Sequence, residues 1–139
     1  MKIRRARKSD LKQINNLCQL CSWTGLSSDF INKRDLSLVV VDDKKILGFM
    51  WVGIMANGTV GYQDWYLVHP ELAGKGVGLA LAQRMADVAK KKGVEILFAH
   101  VEPTPSAEKV LRNSEKIGMK VMPKQYTLLL GLTKEMGEK

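Results

Sequence analysis

Three glycines at alternating positions, Gly74, Gly76 and Gly78, lie in the stretch VHPELAGKGVGL, residues 68–79, where an apolar run gives way to a helical pattern. Without Cβ atoms such a turn lets a ligand approach the main chain, and its glycines reach positive φ without steric cost. The amides of Lys75, Gly76, Val77, Gly78 and Leu79 fall in the turn and the first helical turn. Donors there lack intrahelical acceptors and sit at the positive end of the helix dipole. This is chemistry suited to holding a phosphate. The spacing G-x-G-x-G departs from the dinucleotide fingerprint and from a Walker loop. The turn alone therefore also fits a strand-to-helix connection without a ligand.

The pair Cys18 and Cys21 forms C-x-x-C. Zinc would need a second pair of ligands, and His69 and His100 are isolated. A redox pair should open a helix, whereas these two end one and share a face with Leu11, Ile14 and Leu17. They read as core thiols. Neither a metal site nor Ser-His-Asp catalysis is indicated.

The elements that must position these residues belong to one domain. A chain of 139 residues with 45% apolar and 26% charged residues is expected to be soluble and globular. No apolar run approaches the ~18 residues of a membrane span, and no apolar leader follows MKIRRARKSD, so the expectation is cytoplasmic, with no membrane partner. The net charge of +8 suits a polyanionic partner. Few aromatics interleave the basic residues and no nucleic-acid motif is present, which disfavours nucleic acid. Lys90, Lys91 and Lys92 precede Gly93, as cations closing a helix should.

Periodicity and turn chemistry set the order. A strand at 3–6 leads to a helix capped by Ser9 or Asp10 and running to about Leu20, then to a loop at 22–33 carrying a short second helix capped at Ser27 or Ser28. Strands at 36–41, 46–54 and 60–68 are antiparallel, the last two joined at Asn57-Gly58. A helix at 77–91 buries Val77, Leu81, Met85 and Val88, and a strand at 95–101 lies parallel to 60–68 through a right-handed crossover. A helix at 106–117 and closing strands at 119–122 and 125–130 complete a domain over 1–132, with a tail at 133–139. The class is α/β (α+β): a mixed, mostly antiparallel sheet of six to seven strands with about four helices.

With these elements in order, the chain resembles the Gcn5-related N-acetyltransferase (GNAT) superfamily over nearly its whole length. The residues that carry the resemblance are Lys45-Ile46-Leu47-Gly48-Phe49; Val68, Pro70 and Glu71 leading into Gly74-Lys75-Gly76-Val77-Gly78; and Glu115-Lys116-Ile117-Gly118-Met119. The resemblance implies transfer of an acetyl group from acetyl-CoA to an amine. It places Leu67 and Val68 against the pantetheine arm, where the fourth strand splays from the fifth, and the amides of residues 75–79 around the pyrophosphate. Ala73 stands where the family usually has Arg or Gln, and Ser114 where it often has a Tyr acting as general acid. The family's Asn at the start of the last helix is replaced in the Ser106-Ala107 region.

Direct attack on a thioester needs a neutral amine, an aligned carbonyl and oxyanion stabilisation. The Val68 amide is placed to polarise the carbonyl. Alternation on the fourth strand puts Tyr62, Asp64, Tyr66 and Val68 on one face, making Asp64 the first candidate base and Tyr62 another. Glu102, at the mouth of the same cleft, is the second choice, while His100 reads as a core histidine. Tyr126 is a candidate replacement for the missing acid. Two other readings stand beside the enzyme: an acyl-CoA-binding module without turnover, suggested by Ala73 and Ser114, and a basic nucleic-acid or ribosome-binding domain, suggested by the charge. The closing strands offer an edge for a homodimer.

Overall fold

The computed structural model describes residues 1–101 and 107–118. Five strands lie in sequence order: β1 (Lys2–Arg5), β2 (Leu36–Asp42), β3 (Lys45–Met55), β4 (Val60–Val68) and β5 (Ile96–Ala99). The first four are antiparallel and β5 runs parallel to β4; the turns require this of β2, β3 and β4 and the helical crossover requires it of β5, whereas the pairing of β1 with β2 is set by packing. Helix α1 (Leu11–Leu20) packs on one face; α2 (Val77–Lys92) packs on the other, with α3 (Ala107–Lys116) against it.

Side-chain alternation divides the core between these faces. Leu38, Val40, Met50 and Val52 meet Val77, Leu81 and Met85 of α2, and Ala82 and Ala89 complete the buried stripe. Val39, Phe49 and Leu67 meet Ile14, Leu17 and Cys18 of α1. Gly48 sits where the sheet is tight, since a Cβ there would lie 2.8 Å from Val40 Cγ2. Both cysteines are free, and burial pushes both thiols up, as expected of core residues.

The loop at 22–33 departs from expectation. It holds one 3-10 turn, Ser28–Phe30, and Ser27 makes no side-chain cap. Its backbone groups go to tertiary partners instead. Asn15 clamps Leu26 from both sides, accepting from its N–H at 2.9 Å and donating to its carbonyl at 3.1 Å. The Trp51 and Trp65 indoles donate to the carbonyls of Phe30 and Thr24 at 3.0 and 2.9 Å. Asn57-Gly58 does reverse the chain, but in a wider turn in which Ala56, Asn57 and Gly58 have φ of 52°, 56° and 90°.

The second departure is a bulge. Phe49 pairs with Leu67 and Trp51 with Asp64, so two steps along β3 match three along β4. Trp65, at φ 46°, absorbs the extra residue. Alternation is broken there, and the expected single face for Tyr62, Asp64, Tyr66 and Val68 splits. Asp64 and Tyr62 lie opposite Trp51 and Gly53 on the α1 face, whereas Tyr66 and Val68 pack into the α2 core.

Among the described residues there are five strands and three α-helices, against an expected six to seven and about four. The missing helix is the 3-10 turn just described. The closing strands and the boundary at 132 lie outside the described residues, as does the edge proposed for a dimer.

Candidate functional site

The site begins where β4 leaves β5. Their pairing covers Val60 to Gln63 opposite Ile96 to Ala99 and goes no further, while β4 continues to Val68. The His69 amide donates to the Leu47 carbonyl at 2.8 Å, so in the alternating antiparallel ladder Val68 turns its N–H and C=O away from β3. Val68 thus presents backbone to the gap between the strands. Its carbonyl accepts from the Cys21 thiol at 3.6 Å. Leu67 does the opposite: its main chain faces Phe49 and its side chain is buried in the α1 core.

The glycine turn follows directly. Gly74 and Gly76 have φ of 78° and 77°, and a Cβ on either would meet nothing within 4 Å, so backbone conformation alone selects glycine there. Gly78 is different: a Cβ would lie 3.0 Å from the Tyr66 hydroxyl, which donates to the Gly78 carbonyl. Burial pushes the Tyr66 phenol up to about 12, so it remains a donor at neutral pH. The Lys75 amide donates to the Leu72 carbonyl at 3.2 Å, which removes it from the set of free donors, and its side chain is exposed. Ala80 N–H begins the intrahelical ladder by donating to Gly76. Val77, Gly78 and Leu79 are the first-turn amides left to an anion.

Asp64 is half-buried on the α1 face, and its Oδ1 accepts from the Trp65 amide at 2.8 Å, a bond the bulge creates. Neither ion pair among the described residues involves it. Burial, and then the nearby Asp64 carboxylate, push the Tyr62 phenol up. Ser114 is half-buried, and its hydroxyl donates to the Val110 carbonyl of its own helix at 2.8 Å. His100 is exposed beyond the end of β5, which stops at Ala99, and is not the core histidine expected. Glu102 and Tyr126 lie outside the described residues. Among the described residues no three potential ligands gather as a metal site would require, and no helix is long and apolar enough to cross a membrane.

Sequence reasoning missed the acidic and aromatic construction beside Asp64. Phe30, Trp51 and Trp65 meet edge to face, with centroids 4.9 to 5.7 Å apart. Next to them is a cavity of about 370 Å³ lined by Asp29, Phe30, Asp35, Trp51, Gly53 and Met55, among others. Asp35 is 2% exposed and accepts from Arg34, from the Asn32 amide group at 2.9 Å and from the Ile54 N–H at 3.0 Å. Burial pushes its carboxyl up, but those hydrogen bonds outweigh it and the net shift is downward. In the sequence Asp35 is one acid before a strand; only its fold partners mark it. The three aromatics were visible as residues, but not as neighbours.

The fold is shared with known proteins. Residues 6–112 match the model of the acetyltransferase (GNAT) family. No curated protein sequence matches the chain significantly. Among solved structures, an acetyltransferase of Trypanosoma brucei superposes with a TM-score of 0.70 at 23% identity, over 93% of this chain and 99% of that one. Glucosamine-6-phosphate N-acetyltransferase of Arabidopsis thaliana gives 0.70 at 19% identity, over 94% and 98%. An aminoglycoside N-acetyltransferase in complex with CoA gives 0.72 at 17% identity, over 96% and 99%.

Proposed function

The chain belongs to the acetyltransferase (GNAT) family, and from that premise we propose that it transfers an acetyl group from acetyl-CoA to a primary amine by direct attack in a ternary complex. The observation that carries this reading is the outward-facing Val68 backbone beside the first turn of α2. The arrangement fits the two ends of one ligand. The Val77, Gly78 and Leu79 amides, with the dipole of α2, hold the pyrophosphate, and the Lys75 ammonium is free to approach it. The pantetheine arm pairs with Val68 as an added strand would.

Chemistry then takes place at the splay. The Val68 N–H polarises the thioester carbonyl. Asp64, on the α1 face, takes a proton from the incoming ammonium directly or through one water. The neutral nitrogen forms the new C–N bond, the C–S bond breaks, and the thiolate leaves with a proton from solvent or an acid. A neighbouring structure in complex with CoA, and another named as an N-acetyltransferase of glucosamine-6-phosphate, support this class of reaction.

A second reading rests on Ser114. Its proton is already committed to Val110, and a domain lacking a general acid would bind acyl-CoA without turnover. Titration of the protein with acetyl-CoA and CoA at low salt tests the shared premise; no binding at millimolar ligand overturns both readings. CoA release across a panel of amines separates them. In the enzyme, Asp64→Asn is expected to lower turnover about a hundredfold with unchanged acetyl-CoA affinity, and unchanged turnover would remove Asp64 from the site.

A further inference from the structure

From the α1 face of β3, β4 and β5 we infer that the acceptor is a monoamine carried on a flat apolar body, bound with its ammonium at Asp64; this rests on the acetyltransferase reading. The groups on that face are contiguous. Trp51 and Asp64 are cross-strand partners, as are Gly53 and Tyr62, and Tyr62 and Phe98. The Trp51 ring lies down over Gly53, where any Cβ would come 2.5 Å from its Cη2. Tyr62 and Phe98 rings are 5.0 Å apart, and Phe98 is 44% exposed. The result is an aromatic shelf running from Trp51 to Phe98 with the Asp64 carboxylate along its edge.

The polar inventory decides what the shelf can take. Both nearby indole N–H groups are spent, on Phe30 and Thr24. The Asp35 carboxylate is saturated by Arg34, Asn32 and Ile54. Among the described residues Asp64, the exposed Asp29, the Tyr62 hydroxyl and the solvent-facing part of the Arg34 guanidinium remain. A polyhydroxylated acceptor would leave most of its hydroxyls facing ring carbons, a loss that binding sites discriminate against strongly. A polycation would also work against a chain of net charge +8. One ammonium beside the Asp64 carboxylate and ring faces, with an aryl group on the shelf, matches Asp64 and the rings and leaves the exposed Asp29 and Arg34 to solvent.

The test is equilibrium binding of phenethylamine, ethylamine and kanamycin to the CoA-saturated protein, after CoA affinity has been measured. Phenethylamine is expected to bind at least about tenfold more tightly than either of the others. Phe98→Ala should reduce that advantage about tenfold while leaving CoA affinity in place, which reports the fold; Phe98→Leu should recover only part of it. Equal or tighter binding of ethylamine or kanamycin, binding of none of the three, or an advantage that survives Phe98→Ala overturns the inference and leaves the acetyltransferase reading standing. Failure of CoA itself to bind overturns that reading, and this inference with it.

Discussion

Asp35 joins the loop before β2 to the central strand β3, and one carboxylate does this by accepting from the Asn32 and Arg34 side chains and from the Ile54 backbone. Its pKa is lowered despite burial, and that of Asp10 is lowered by the Arg4 hydrogen bond, which outweighs the cost of burial. A depressed folded-state pKa contributes stability above the unfolded value, and this is lost as pH falls through the folded value. Unfolding free energy should therefore hold from neutral pH down toward the ordinary carboxylate value of 3.8 and decline below it. Asp35→Asn should cost about 2 kcal/mol at neutral pH, because it weakens several bonds at a buried site, and should flatten the acid decline. Urea unfolding across pH measures both; an identical acid profile in the variant would remove Asp35 as the cause. No spacing rule marks this residue, since its partners come from the loop and from β3.

The glycine turn and the bulge of β4 show how unevenly elements are written in a sequence. Gly74 and Gly76 carry their meaning locally: positive φ in a turn opening a helix is a property of the residue type. Gly76→Ala adds a methyl to open space, so its cost is the left-handed backbone alone, about 1–2 kcal/mol. Gly78 is set by a neighbour twelve residues earlier, the Tyr66 hydroxyl. Gly78→Ala gains about 1 kcal/mol of helix propensity against a loss of about 1 kcal/mol at the buried Tyr66 hydrogen bond, so stability should change little, while displacement of Tyr66 at the glycine turn should weaken acetyl-CoA binding. Denaturant unfolding paired with acetyl-CoA titration separates the two effects. Equal loss of stability in both variants would contradict this account. The bulge had no comparable signal. Residues 60–68 read as an unbroken strand, and only the pairing of Trp51 with Asp64 reveals the extra residue that sends Asp64 and Val68 to different faces.

For the molecule as a whole, the net charge of +8 is the property most directly tied to a polyanionic co-substrate. Exposed charges act through solvent and are screened over about 10 Å at 0.1 M salt. The dissociation constant of acetyl-CoA should therefore rise steadily between low and physiological salt, more steeply than that of pantetheine, which lacks the phosphates. A salt response equal for the two ligands would show that the backbone amides of α2 hold the pyrophosphate without help from the basic surface.

The antiparallel run of β2, β3 and β4 and the parallel return to β5 were legible because each follows from local periodicity or from the length of a connection, and these act on residues close in the chain; the place of β1 beside β2 was not. The glycine turn was legible for the same reason. Which backbone amides remain free, which face Asp64 occupies and what Trp51, Tyr62 and Phe98 build together depended on the register of β3 against β4 and of β4 against β5. Register is a relation between segments far apart in sequence, fixed by packing both helices against one sheet. The sequence therefore determined the order of the elements and the glycine turn, and only tertiary structure decided which groups face the gap between β4 and β5.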